Sequence, residues 1–190
     1  MKKLYEIVIN PISAITKAKK EKNLSFTFLV LIVAWILIAA AVTFVYKFGG
    51  RTTLTELTSL DILISIFVGG LFVSLLGGML VKIVMVILGG KGKYFEGLTS
   101  LAYSILPLSK GFLLAAIFSL LSIYGIMLSF IVLIIFCAIS VSVFFRSIKE
   151  LFGTDTVTTW VGVGIMSFTI ILTFSIINFC FPSTLSLIRA

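Results

Sequence analysis

The first long uncharged stretch of the sequence, from Leu24 to Tyr46, strongly restricts what the chain can fold into. It contains no charged residue, and an apolar stretch of about 20 residues is long enough to cross a bilayer as a helix. Further apolar stretches follow, and the whole chain is 60% hydrophobic and 12% charged. A soluble core of this size cannot hide that much apolar surface. The sequence therefore predicts an integral membrane protein.

Apolar segments separated by polar links predict five transmembrane helices. We expect an all-α, polytopic membrane helical bundle in a single domain, with short amphipathic helices at the membrane interface. A basic arm, residues 1–23, comes first, and the predicted spans are residues 24–46, 61–88, 106–124, 126–145 and 160–181. Residues 122–125 are too few for anything but a tight turn, so the third and fourth spans should form a hairpin.

The N-terminal arm is strongly basic. It contains six lysines, and Asn10 followed by Pro11 is typical of the start of a helix. One interpretation is a basic helix lying on the membrane interface. The other is a solvated tail beside the first span. Both place positive charge next to the membrane.

The polar link LGGKGKYFEGLTSLAYSILP, residues 88–107, separates the second span from the third. Gly89 and Gly90 can end a helix, because glycine reaches the left-handed conformation without steric cost. From Phe95 onward apolar residues recur at helical spacing, which predicts an amphipathic surface helix over residues 95–106. Pro107 should end or kink it. The sequence leaves open whether this helix lies on the membrane or continues into the third span.

This link contains the candidate partner surface, which consists of Lys91, Lys93 and Tyr103. The two lysines follow a helix stop and should lie close to the headgroups. The amphipathic helix should present Tyr103 away from lipid. The alternative is a simple connector between two spans.

Small residues recur every four positions in the second and third spans. Such a pattern lets two membrane helices approach closely, because close packing holds helices together where lipid is as apolar as the side chains. We therefore predict that the second and third spans pack through two small-residue faces. The faces are Gly70, Ser74 and Gly78 in one span, and Gly111, Ala115 and Ser119 in the other.

The distribution of charge predicts the orientation. With five spans, one side of the membrane holds the arm, the 88–107 link and the 146–159 link. Counted together with Lys82 and Lys110, which we place at the ends of spans on this side, these segments contain 12 of the 15 lysines and arginines. The positive-inside rule makes this side cytoplasmic. The N-terminus should then be cytoplasmic and the C-terminus outside.

Two stretches resemble the Yip family of five-span membrane proteins, the Ypt/Rab-interacting group. NPISAITKAKKEKNLSFTFLVLIV resembles the family's opening, and Gly89, Gly90, Phe95, Tyr103 and Pro107 are similar to its central run of a glycine pair, an aromatic and tyrosine-x-x-x-proline. Residues 146–160 resemble its last cytoplasmic link. The resemblance implies five helices with a cytoplasmic N-terminus, and no chemistry. The compact build resembles prokaryotic-type members, which implies the cell membrane; a eukaryotic member would imply the Golgi or endoplasmic reticulum.

The composition argues against several classes of function. There is no histidine, which removes histidine-based triads and metal sites. The seven carboxylates are scattered over the links, so we predict no catalytic, metal or cofactor site and no enzyme. The two cysteines lie in apolar runs and predict no disulfide framework. No soluble basic domain is available to bind nucleic acid.

Two hypotheses from different classes remain. The first is a binding, assembly or membrane-organising module that acts at the cytoplasmic face, with membrane lipid and other membrane or membrane-associated proteins as partners. The second is a small transporter or permeation component, in which a homo-oligomer forms the pathway. Mid-membrane polar residues such as Asn178 would favour the second hypothesis if they did more than join helices.

Overall fold

The computed structural model describes residues 15, 16, 19, 23–48 and 58–180. Within those residues the regular structure is helical, with no strand. The five long helices are α1 (Leu24–Phe48), α2 (Ser59–Ile87), α3 (Tyr94–Ser119), α4 (Ser122–Phe152) and α5 (Thr156–Cys180). All five are long and apolar enough to cross a membrane. The predicted five-helix membrane bundle is therefore confirmed.

Polar residues fix where the first two helices begin. The Asn23 side chain accepts a hydrogen bond from the Phe26 N–H at 3.1 Å, so asparagine caps α1. Thr58 and Asp61 form a reciprocal capping box at α2, in which the Asp61 N–H donates to the Thr58 hydroxyl at 3.3 Å and the Thr58 N–H donates to the Asp61 carboxylate at 3.0 Å. These caps satisfy backbone donors that a helix start leaves unpaired.

Helix α3 is the centre of the bundle. It packs extensively against α1, α2 and α4, whereas α5 makes smaller contacts with α2 and α4. Glycines permit these close approaches: a Cβ at Gly97 would collide with the Gly78 carbonyl oxygen, and one at Gly111 would collide with the Phe136 ring. Lipid does not drive helices together, so such close contacts are what hold them.

The predicted surface helix over residues 95–106 is instead the first half of α3. Most of its side chains are buried in the bundle. Pro107 lies inside the helix and does not end it. The Ser140 hydroxyl of α4 donates to the Ser104 carbonyl at 2.7 Å, one turn before the proline. A neighbouring helix thus supports the backbone where proline weakens the helical ladder.

Helix bounds also differ from the predicted links. The α3–α4 turn lies at Leu120 and Leu121, and Gly125, which was assigned to the turn, is already helical. Helix α4 continues to Phe152, so the link to α5 is short and includes Gly153, whose positive φ of 65° suits glycine at a helix end. The Asn10–Pro11 helix start and the end of the last span at residue 181 lie outside the described residues.

Buried apolar side chains gather at one end of the bundle. Ile15 of the arm belongs to this core, together with Met85 near the end of α2, Leu98 in α3 and Ile148 and Phe152 near the end of α4. The opposite half of α4, residues 124–139, is mostly exposed. The core therefore joins the arm to the ends of α2 and α4 and to the start of α3.

Candidate functional site

Three segments that the charge pattern assigned to one side of the membrane meet in the structure. The Lys19 ammonium of the arm donates to the Glu150 carbonyl at 2.6 Å. The Lys91 N–H of the α2–α3 loop donates to the Phe152 carbonyl at 3.1 Å. Both acceptors belong to the last turn of α4, where carbonyls lack partners within the helix. We call this end of the bundle, formed by Ile15, Thr16 and Lys19 of the arm, residues 88–93 and residues 146–156, the basic end.

The α2–α3 loop is fixed in place by its glycines. Gly89 has a φ of 87°, a conformation that strongly favours glycine. A Cβ at Gly92 would collide with the Phe152 ring, so the loop can approach the end of α4 closely because no side chain intervenes. Gly92 is buried while its neighbours Lys91 and Lys93 are exposed. The loop therefore presents two lysines from a packed backbone.

Glu96 is a buried carboxylate at the start of α3. It is 6% exposed, and its Oε2 accepts a hydrogen bond from the Lys93 N–H at 2.8 Å. A carboxylate is favourable in the first turn of a helix, where unpaired N–H groups carry partial positive charge. This contact fixes the backbone of Lys93. An amphipathic surface helix over residues 95–106 would have placed Glu96 on its polar face, whereas the structure buries it.

Tyr103 does not belong to the exposed surface. Its side chain is 3% exposed and lies in the core, so the prediction that it forms part of an exposed partner surface is wrong. Residues around it that resembled a polar face are small hydroxyl residues buried between helices, such as Thr99 and Ser104. The frequency of small residues along α3 is the signal that could have revealed this, because it is typical of helix contacts in membranes.

A buried pair of threonines joins α1 to α3 near the basic end. The Thr27 and Thr99 hydroxyl oxygens are 3.2 Å apart. Thr99 also lies 2.8 Å from the Phe95 carbonyl, and Ser100 donates to the Glu96 carbonyl at 2.9 Å. Each hydroxyl thus has a partner inside the bundle, which removes the cost of an unpaired polar group in an apolar environment. The pair is a link between helices that the sequence analysis missed.

The two predicted small-residue faces do not pack against each other. Gly70 and Ser74 face Trp35 of α1, whose indole N–H donates to the Ser74 hydroxyl at 2.8 Å. Gly78 does approach α3, with a Cβ position 3.1 Å from the Leu98 Cα. The second and third spans therefore meet, but through Gly78 and Gly97.

The face of Gly111, Ala115 and Ser119 turns toward α4 instead. Gly111 lies against Phe136, and the Ala115 carbonyl accepts a hydrogen bond from the Ser129 hydroxyl at 2.8 Å. Ser119 donates to a carbonyl of its own helix at 2.7 Å. The predicted pairing failed because periodic small residues indicate that a face is packed without identifying the helix that it meets.

Lys110 is also displaced from its predicted position. Because α3 already begins at Tyr94, Lys110 lies about 24 Å along the helix at 1.5 Å per residue. The prediction that it lies near the start of the span is therefore wrong. Without Lys110, 11 of the 15 lysines and arginines still belong to the basic side.

The basic end contains more lysines and arginines than carboxylates. Among the described residues, no group of three or more histidine, cysteine, aspartate or glutamate side chains could hold a metal ion. The buried carboxylate of Glu96 accepts a backbone hydrogen bond. The exposed charges of this end are mainly cationic, from Lys19, Lys91, Lys93 and Arg146, with one exposed carboxylate at Asp155. The side chain of Asn178 lies outside the described residues.

Comparison with known proteins identifies the family. No match was found among curated proteins or among solved structures. The model of the Yip1 domain matches residues 5–177, which include all of α1 to α4 and most of α5. With five helices long enough to span a membrane and a family match over nearly the whole sequence, the chain belongs to the Yip1 domain family.

Proposed function

We propose that the protein is a non-enzymatic assembly module that recruits other membrane or membrane-associated proteins through its basic end. The observation that carries this proposal is the convergence of the arm, the α2–α3 loop and the end of α4, through the Lys19–Glu150 and Lys91–Phe152 hydrogen bonds. Residues far apart in sequence form one packed surface. A packed surface with exposed lysines is suited to an acidic partner.

The basic end faces the cytoplasm in this proposal. Most of the positive charge of the chain belongs to this side, and the positive-inside rule places it there. The orientation is tested by cysteine labelling of intact cells on a background lacking Cys137 and Cys180. An impermeant reagent should label a cysteine at position 51 or 189 and spare one at 93 or 149. Labelling at 93 from outside would reverse the orientation.

The hydroxyl residues of α3 favour assembly over permeation. A transport path requires polar groups that are free to meet a substrate. The hydroxyls of Ser100, Ser104 and Ser109 each donate to a carbonyl of their own helix, at 2.8 to 2.9 Å. Bonded in this way, each hydroxyl hydrogen is already used within the helix and is not free to meet a substrate.

Capture of partners in membranes tests the working surface. A photocrosslinker at position 156, which is exposed at the basic end, should capture a partner protein, and the double variant Lys91→Glu/Lys93→Glu should lose that capture while remaining folded. Exposed substitutions usually change stability by less than about 0.5 kcal/mol. Lys47→Glu, an exposed lysine at the end of α1, is the matched control and should retain capture. Full capture by the folded double variant would refute the proposed surface.

A further inference from the structure

A partly open cavity of about 210 Å³ lies where α2, α3, α4 and α5 meet. Its walls are mostly apolar and include Val81, Leu101, Val141, Phe144, Val163 and Met166. Three serines also line it. The Ser140 hydroxyl donates to the Ser104 carbonyl at 2.7 Å and the Ser104 hydroxyl donates to the Leu101 carbonyl at 2.9 Å, and the third is Ser167 of α5. The cavity therefore presents mainly hydrocarbon to an occupant. An apolar cavity of roughly 150 Å³ already accommodates a benzene-sized guest.

An aromatic pair lies at one end of this cavity. Phe145 of α4 and Trp160 of α5 have ring centroids 4.7 Å apart, and Trp160 is 60% exposed. Phe145 follows the cavity-lining Val141 by one helical turn, and Trp160 precedes the lining residue Val163 by one turn. Exposed tryptophan is typical of the headgroup level of a membrane. The pair marks where the hydrocarbon region ends.

One turn beyond Phe145, on the same stripe of α4, lies Lys149. Its ammonium donates to the Thr156 hydroxyl at the start of α5 at 2.8 Å, which uses one of the three N–H donors of an ammonium. Lys149 is partly buried, and Arg146, which is exposed, lies three residues before it. The nearby Asp155 carboxylate accepts from the Val157 and Thr158 N–H groups at 3.2 and 3.4 Å. We call the line along which α4 and α5 meet the α4–α5 seam. The order along it is the hydrocarbon cavity, then the aromatic pair, then the cations.

We infer that the α4–α5 seam binds an anionic phospholipid from the surrounding bilayer. One acyl chain occupies the cavity, the glycerol region lies beside Phe145 and Trp160, and the phosphate meets Lys149 and Arg146. The charge of those two residues complements a headgroup of net negative charge. The small contacts between α5 and the rest of the bundle leave the seam open to the membrane. This inference does not depend on protein capture at Lys91 and Lys93.

The test is lipid-dependent thermal stability of the purified full chain in detergent. Phosphatidylglycerol and phosphatidylcholine should each raise the unfolding temperature, and phosphatidylglycerol should act at the lower concentration. Lys149→Gln should weaken the apparent affinity for phosphatidylglycerol about fivefold, the effect of one lysine at an anionic surface. The same variant should leave the apparent affinity for phosphatidylcholine unchanged. Lys47→Gln, which replaces a lysine at the end of α1, should change the affinity for neither lipid.

Filling the cavity tests the acyl-chain site separately. Ser167→Phe on α5 and Val141→Phe on α4 add bulk to cavity-lining positions. Each should weaken the apparent affinity for both lipids about tenfold or more. Ile171→Phe, which faces outward on α5 and does not line the cavity, is the matched control and should retain both.

Four outcomes would overturn the inference. The first is equal stabilisation of the unaltered protein by both lipids. The second is undiminished lipid affinity in the folded cavity-filling variant. The third is stabilisation by inorganic phosphate alone equal to that by phosphatidylglycerol, which would indicate a free-anion site. The fourth is that Ser167→Phe converts a dimer of the protein to a monomer without altering the lipid affinity. That result would show that the seam is a contact between copies of the chain.

Discussion

The two ends of the bundle both contain large apolar side chains but differ in packing. At the basic end, Leu98, Ile148 and Phe152 are almost completely buried among arm, loop and helix ends. At the opposite end, large side chains of α4 such as Phe130 and Ile134 are exposed. Lipid solvates apolar side chains as well as protein does, so hydrophobicity does not decide which end packs. Small and hydroxyl residues in the first half of α3 decide it, because they let backbones approach.

Tyrosines at the two ends should give the largest contrast. Tyr103 is 3% exposed in the core, whereas Tyr124 near the start of α4 is 80% exposed. We expect Tyr103→Ala to lower the free energy of unfolding by about 3–5 kcal/mol, as for other buried aromatic residues. Tyr124→Ala should change it by less than about 0.5 kcal/mol. Unfolding in detergent measures both, and equal losses would remove the distinction between the ends.

Glycines should give an effect of opposite sign at the two ends. A Cβ at Gly97 would collide with the Gly78 carbonyl oxygen, which belongs to backbone and cannot rotate away, whereas nothing lies within 4 Å of a Cβ at Gly69. Gly97→Ala should therefore destabilise the protein by about 1–3 kcal/mol.

The control, Gly69→Ala, should be neutral or stabilising by up to about 1 kcal/mol, because alanine favours a helix more than glycine does. Thermal unfolding of the two variants side by side provides the measurement. A stable Gly97→Ala protein would mean that α2 and α3 do not touch at this point.

The threonine link between α1 and α3 should contribute a smaller amount. Thr27→Val retains the shape of the side chain and removes its hydroxyl, which lies 3.2 Å from that of Thr99. Hydrogen bonds between membrane helices contribute about 0.6 kcal/mol on average. We expect a loss of about that size from Thr27→Val, and little further loss when Thr99→Val is added. Additive losses in this double-mutant cycle would show that the two hydroxyls do not interact.

The smallest effect is expected from pH at the α4–α5 link. The hydrogen bond from the Thr158 side chain to the Asp155 carboxylate, aided by backbone N–H groups of Val157 and Thr158, lowers the pKa of Asp155 below its ordinary value of 3.8. A lowered folded-state pKa adds stability that is present above the ordinary pKa and is lost as pH falls through the lowered one.

Asp155→Asn preserves a good helix cap and should remove this contribution to the pH dependence while nearly maintaining stability at neutral pH. The melting temperature of both proteins, recorded between about pH 5 and pH 2, measures the contribution of Asp155 to the pH dependence of stability. An unaltered acid profile in the variant would show that Asp155 does not contribute.

The sequence by itself determined the number and type of helices and the separation of charge. Long uncharged apolar segments such as residues 24–46 are most favourably placed in a membrane. Because lipid offers no hydrogen-bond partners, the backbone of each segment must form its hydrogen bonds internally, and so it becomes a helix. The glycines beside Lys91 and Lys93 likewise marked a turn correctly. These features depend on local composition and short-range geometry.

Tertiary structure decided which faces are buried and what they meet. Thr99, Tyr103 and Ser104 form a polar stripe in sequence, yet they lie inside the bundle, because small hydroxyl residues can bond to helix carbonyls and allow close approach. Lys19 reaches the Glu150 carbonyl only because the packing of the helices brings residues 131 positions apart in the chain together. Such contacts join residues far apart in the chain, and no local pattern specifies which distant partner will be adjacent.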